Sequence, residues 1–379
     1  MVRRVVSYFL FLIILTQHVG ASSAPDRFTK APAQSAANSL VPQVDKRVEL
    51  LSIAARLAAI KGFDDNLNPL YSQAIDKHFG AYRDQPLIKY LRELKPKLDE
   101  SGWEIPAVAV HLGQPPKLEP LMDFTDTANV DEWESRELFN AKFVTLLQKF
   151  YREARVESFF EQQQPYFDSV DREYVKQGVE LNKEWIGSFF GLKTTEDYYA
   201  IVALGLRQGA YMRVNFPKNY RHTITIFETT SFDDGGLPTT FKNQVFPRMM
   251  LHEYIHAFTN QLVDKRSDQL RGYAETILKN PKVSKAVENT FYANWRYILY
   301  ESLVRACSIK YFRANKGITS DIEKEIVAQE KAGFLWLRGL IDQLDVYEAN
   351  RKEYQTLEQF MSQIELFFKD ISGRLKSSR

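Results

Sequence analysis

The chain has 379 residues, 44% hydrophobic and 13% aromatic, which is enough apolar side chain for a large core, and its 26% charged residues are ordinary for a folded chain. A formal net charge of +2 excludes the basic footprint of a nucleic-acid binder and gives no reason for attraction to an anionic membrane. One cysteine, Cys307, excludes an intrachain disulfide, so stability must come from burial and from any bound metal.

Residues 1–21 have the form of a secretory signal: Arg3 and Arg4 open it, Val5 to Leu15 is a short apolar core interrupted by Ser7 and Tyr8, and Val19, Gly20 and Ala21 offer a small-residue cleavage site. That run is shorter than the ~20 residues a membrane helix needs. The mature protein is therefore expected to be secreted or periplasmic, with no stable membrane anchor. Residues 22–41 are Ala, Ser, Pro and Gln with almost no large apolar side chain, and read as a flexible linker.

From residue 42 the pattern becomes helical. Val44, Val48, Leu51, Ile53, Ala55, Leu57 and Ile60 recur on one face, and Gly62 is a stop signal. Helical spacing continues over 68–79, 86–98, 133–160 and 170–185, while 105–112 fits either a helix or a strand. Residues 42–190 thus form an N-terminal helical region. Strand-like stretches follow at 198–206, 210–215 and 222–230, punctuated by Gly205, Gly209 and Pro217, and their short links predict a small antiparallel meander. The last one alternates cleanly and ends in the turn Asp233-Asp234-Gly235-Gly236. It is expected to be either an edge strand that pairs with an extended substrate or an ordinary solvated edge.

The chemistry is concentrated in His252-Glu253-Tyr254-Ile255-His256, an H-E-x-x-H pattern on a predicted helix that Asn243 would cap and that runs to about Leu262. Residues four apart on a helix emerge from one face one turn apart, so His252 and His256 can grip one zinc ion. Glu253 stands beside them as general base for a water whose pKa the metal lowers to about 7. The flanks, Met249, Met250, Leu251, Ala257 and Phe258, are uncharged, and three polar groups buried among them need a partner.

A third histidine is not expected. In the extended pattern H-E-x-x-H-x-x-G-x-x-H, Thr259 stands in place of the glycine and Leu262 in place of the last histidine, and His78, His111 and His222 lie far upstream. Asp264, Glu275, Glu288 and Glu301 compete as carboxylate donors. Glu301 is preferred because Tyr297, Glu301, Arg305 and Ser308 make one polar stripe on a helix otherwise coated with Ile298, Leu299, Leu303, Val304, Ala306 and Ile309. Glu275 stays open. Arg305 would hold the Glu301 carboxylate or reach the substrate, and Tyr292, Tyr297 and Arg305 are the candidates to stabilise an oxyanion, with His222 behind them. Helical patterns over 328–344 and 357–371 predict a bundle packing behind the site, with Phe334, Trp336 and Phe360 as core residues.

These residues resemble the gluzincin metallopeptidases, in which an H-E-x-x-H helix is followed by a helix carrying a glutamate. More closely, five stretches are similar to a bacterial family known only as a domain of unknown function. They are residues 44–57, residues 252–260, Trp295 with residues 301–306, Gly333-Phe334, and Tyr347-Glu348 with Asn350-Arg351. The resemblance spans nearly all of the mature chain. It implies His252, His256 and Glu301 as zinc ligands and Glu253 as base, in a mainly α, α+β fold. That fold would have a zincin-like core at 191–379, continuous with 42–190. The expected activity is hydrolysis of a peptide or protein substrate by a Zn2+ enzyme. The alternatives are an amidase on a non-peptide or cell-wall substrate, and a noncatalytic module with a vestigial site.

Overall fold

A computed structural model describes residues 42–64, 68–98, 102, 104–125, 137–176, 181–192, 197–206, 210–216, 220–228, 232–239, 245–315 and 321–377. The expected signal and linker, Asn243 and Trp133 lie outside the described residues. The protein is mainly helical with one small sheet, and the chain divides into two compact units.

One unit joins Glu196–Phe246 to the described part of Leu15–Glu180. Its centre is α1 (Lys46–Leu57), whose Val48, Leu50, Ile53, Ala54 and Ala55 are fully buried. Asp45 caps this helix by accepting from the backbone N–H groups of Arg47 and Val48, and Arg47 returns from the first turn to pair with the Asp45 carboxylate at 2.6 Å. The other helices are α2 (Pro69–Phe79), α3 (Pro86–Leu94), α4 (Glu104–Val110), α5 (Ala141–Glu153) and α6 (Val156–Lys176).

The ambiguous stretch is therefore a helix, α4, and it is buried along its whole length. Two predicted helices are shorter than their apolar spacing implied. Pro96 turns the end of the third into a 3-10 turn over Lys95–Lys97, and Arg155, at φ +53°, separates α5 from α6 where one helix was expected. Likewise, the predicted helix over 170–185 is not continuous: α6 ends at Lys176 and the next helix starts at Lys183.

The sheet is built from β1 (Gln43–Val44), β2 (Asp197–Ala203), β3 (Ala210–Phe216) and β4 (Tyr220–Glu228), in the order β1-β2-β4-β3. β2 pairs with β4 in parallel, from Asp197 opposite His222 to Ala203 opposite Glu228, and only β3 and β4 are antiparallel. This corrects the expected meander and the expected edge: β4 is a central strand. The reason is its burial. Ile224, Thr225, Ile226 and Phe227 are all buried, so the threonine that looked like a solvent-facing alternate is covered as well. Over His222–Ile226 the strand is paired on both sides, so no substrate strand can add to it there. Glu49 of α1 is tied to the end of β2 by accepting the Leu204 N–H at 2.8 Å.

The other unit comprises Leu181–Thr195 and Pro247–Arg379. Its helices are α7 (Lys183–Phe190), α8 (Val245–Asp264), α9 (Ser267–Leu278), α10 (Pro281–Val287), α11 (Trp295–Ala314), α12 (Ile322–Lys331), α13 (Leu337–Ala349) and α14 (Leu357–Ser377). The middle of this bundle is α11, with Ile298, Leu299, Leu303, Val304, Ala306 and Cys307 at 1% exposure or less. It packs on α9 and α13, and α14 lies on α9 and α13. The predicted continuous helix over 328–344 is broken, because Gly333 adopts φ +108° and splits it into α12 and α13. Trp336, at that break, donates its indole N–H to the Ser302 hydroxyl of α11 at 2.9 Å. Phe334, Trp336 and Phe360 are buried, as core residues should be. No helix among the described residues is long and apolar enough to cross a membrane.

Candidate metal centre

Both helices of the candidate site belong to the second unit. His252 and His256 leave the same face of α8, with imidazole Nε2 atoms 3.2 Å apart. Thr259, which stands where the extended pattern has glycine, is fully buried and donates its hydroxyl to the Ile255 carbonyl, and α8 continues to Asp264. The helix thus offers two histidines and no third.

Glu301 of α11 faces them. Its Oε2 lies 3.4 Å from His252 Nε2, and its Oε1 lies 3.4 Å from His256 Nε2. The three groups each present a ligand atom, all within 4.8 Å of one another. Zinc with ligands at about 2.0–2.1 Å in a tetrahedron places neighbouring donors about 3.3 Å apart. The 3.2 Å between the imidazoles fits that requirement, and each imidazole has a Glu301 oxygen at 3.4 Å, a different oxygen for each. The donor set also fits chemically: two imidazoles and a carboxylate suit Zn2+ and leave a fourth position open.

Competing carboxylates are engaged elsewhere. Glu275 accepts from Arg271 at 2.8 Å on the exposed side of α9, Asp264 accepts from the Tyr300 hydroxyl at 2.5 Å, and Glu288 is exposed. Among the described residues, the group able to hold a metal is His252, His256 and Glu301.

The surroundings orient each ligand. His256 Nδ1 is 2.9 Å from Asn260 Oδ1, an acceptor that takes the Nδ1–H and so fixes the orientation of the ring. Arg305, one turn after Glu301, donates to Glu301 Oε2 at 2.7 Å and to the Tyr292 hydroxyl at 3.0 Å. Its guanidinium lies over the ring of Phe334, at 4.5 Å, and over that of Tyr292, at 5.2 Å. Burial pushes the Glu301 carboxyl up, but Arg305, His252 and the hydrogen bonds from both imidazoles outweigh it and hold the group well below the usual carboxylate range. Burial pulls the His256 pKa down; the Glu301 hydrogen bond, with the charges of Glu253 and Glu301, reverses this and raises it. Burial, reinforced by the Glu301 charge, pushes the Tyr292 phenol well up, so it is protonated at neutral pH.

Of the other expected site residues, Glu253 is half-buried and its charge acts on both His256 and Tyr292. Arg305 is 8% exposed and committed to Glu301, which fits a holder of the ligand better than a group reaching out to substrate. Tyr297 is 43% exposed and its ring rests against Tyr300 at 6.2 Å, whereas Tyr292 is the tyrosine that joins the Arg305–Glu301 pair. His222 lies in β4 of the other unit, and its side chain lies outside the described residues. Sequence reasoning passed over Asn260, although its spacing of four from His256 was a usable signal.

The model of one family, described as Domain of unknown function (DUF4932), matches residues 40–366. The chain belongs to this family. No curated protein and no solved structure matches the chain. The match spans most of both units and takes in both helices of the candidate centre.

Proposed function

We propose that this protein is an exported zinc-dependent metallohydrolase with a gluzincin-like site on a zincin-type core, and that it hydrolyses peptide bonds. The observation that carries the reading is the approach of Glu301 on α11 to within 3.4 Å of both histidines of α8, with Glu253 on the same helix as those histidines. A purely structural zinc site has no use for a carboxylate at that position.

His252, His256 and Glu301 would hold the ion. When bound, zinc supplies a Lewis acid that polarises a carbonyl and lowers the pKa of water to about 7. Glu253 takes the proton of the attacking water and returns it to the leaving amine. The Tyr292 hydroxyl accepts from Arg305 and keeps its own O–H proton, which it can donate to the developing oxyanion. Arg305 acts through Glu301: by fixing one carboxylate oxygen it sets the direction of the other. Asn260 does the same for His256.

The test is metal analysis of the purified protein together with a peptide-library screen of wild type and Glu253→Gln. The proposal expects bound zinc in both and cleavage by wild type alone. Turnover of a non-peptide amide with no peptide cleavage would move the assignment to an amidase, and an absence of zinc would overturn it.

A further inference from the structure

Arg305 holds Glu301, yet a long side chain needs to be fixed before it can fix another. Its NH2 nitrogen is shared by Glu301 and Tyr292, and its NH1 nitrogen donates to Gln329 Oε1 on α12. Gln329 in turn donates through Nε2 to Glu325 Oε1 at 2.7 Å, one turn earlier on the same helix. The two bonds agree on one orientation of the amide, oxygen toward the cation and NH2 toward the carboxylate. Glu325 then faces α8: its Oε2 lies 3.6 Å from Arg248 NH1, with the two side chains 14% and 13% exposed. Arg248 stands one turn before His252 on that helix.

The contacts therefore leave one ligand-bearing helix, cross α12, and arrive at the other. Because the α8 histidines face Glu301 directly, the path closes on itself, with the charges alternating around it and summing to zero. We propose that Gln329 and Glu325 are positioning residues for the metal centre: α12 holds Arg305, and through it Glu301, in register with His252 and His256, so that the three donors are arranged before metal arrives. This rests on the reading that the centre binds zinc. A helix that served only to fill the bundle would have no reason to join both ligand helices through polar side chains.

The experiment is a zinc titration of the full chain against a chromophoric chelator, for wild type, Gln329→Met and the exchange variant Glu325→Gln with Gln329→Glu, with the melting temperature of each metal-free protein as control. Met matches the length of Gln without its hydrogen bonds, whereas the exchange keeps an acceptor for Arg305, an amide donor between the two side chains and the net charge. Partners of metal ligands are worth about 10- to 100-fold in affinity, so Q329M is expected to bind zinc at least about tenfold more weakly. Its metal-free melting temperature should stay close to that of wild type, and the exchange variant should recover most of the affinity. If Q329M does not fold, Gln329→Asn, too short to span both partners, is expected to show the same loss. Zinc binding by wild type and equally tight binding by Q329M would overturn the relay alone, as would an equal loss in the exchange variant. Wild type that takes up no zinc would overturn the zinc reading itself.

Discussion

Replacing Glu253 by Gln removes the proton acceptor without removing a metal donor, and this separates binding from chemistry at a single atom. The variant is expected to keep its zinc and lose at least about 100-fold in kcat, the lower range for a positioned acid–base group. Equal kcat in steady-state assays of the two proteins would remove Glu253 from the mechanism. A second residue-scale expectation concerns Glu49, fully buried in the first unit, where burial raises its pKa to about 7 against the opposing Leu204 N–H bond. Because the folded state holds this proton more tightly than the unfolded chain does, the contribution to stability is fully present below pH 4.5, falls as pH rises through about 7, and is absent above it. The loss is ~3 kcal/mol at 1.4 kcal/mol per pKa unit. His111, whose pKa burial lowers to about 4, works the opposite way and costs stability as pH falls from 6.5. Glu49→Gln should therefore melt higher than wild type at pH 8 and differ little at pH 4.5. A pH-independent difference in thermal melts would contradict the assignment.

At the scale of elements, α8 and α11 were legible because helical spacing alone decides which side chains share a face. The choice of Glu301 over Glu275 needed only the observation that one helix was apolar around its carboxylate and the other was not. What was not legible depended on distant parts of the chain. The place of β4 is set by what covers Thr225, and the breaks at Arg155 and Gly333 by backbone conformations that apolar spacing does not report. Glu325 and Gln329 look like any charged helix face until α8 and α11 are placed on either side of them. Helix ends give a direct test. Gly191 closes α7 at φ +70°, and a Cβ there would lie 2.3 Å from the Gln355 carbonyl oxygen. Gly191→Ala is expected to cost about 2–4 kcal/mol. Gly272, inside α9 with nothing within 4 Å of an added Cβ, should tolerate Ala with a gain of about 0.5–1 kcal/mol. Denaturant titrations that rank the two variants the other way would show that α7 does not end as described.

For the whole molecule, neither compact unit is a single continuous stretch of the sequence. Strands β2, β3 and β4 join the N-terminal helices, and every residue of the candidate centre lies in the unit formed by Leu181–Thr195 and Pro247–Arg379. Sequence order hid this, because the strands and α8 are neighbours along the chain. Zinc at 100 times its Kd should stabilise the folded state by ~2.7 kcal/mol. Hydrogen exchange should show the added protection in α8 and α11 and little of it in β2 and β4; protection confined to the sheet would place the metal elsewhere. The central claim is that α8 and α11 together make one metal site, and it is tested most directly by the zinc content of wild type and Glu301→Ala purified side by side. The account expects about one zinc per chain in the wild type and a large loss in the variant. Full zinc occupancy in Glu301→Ala, or none in the wild type, would contradict it.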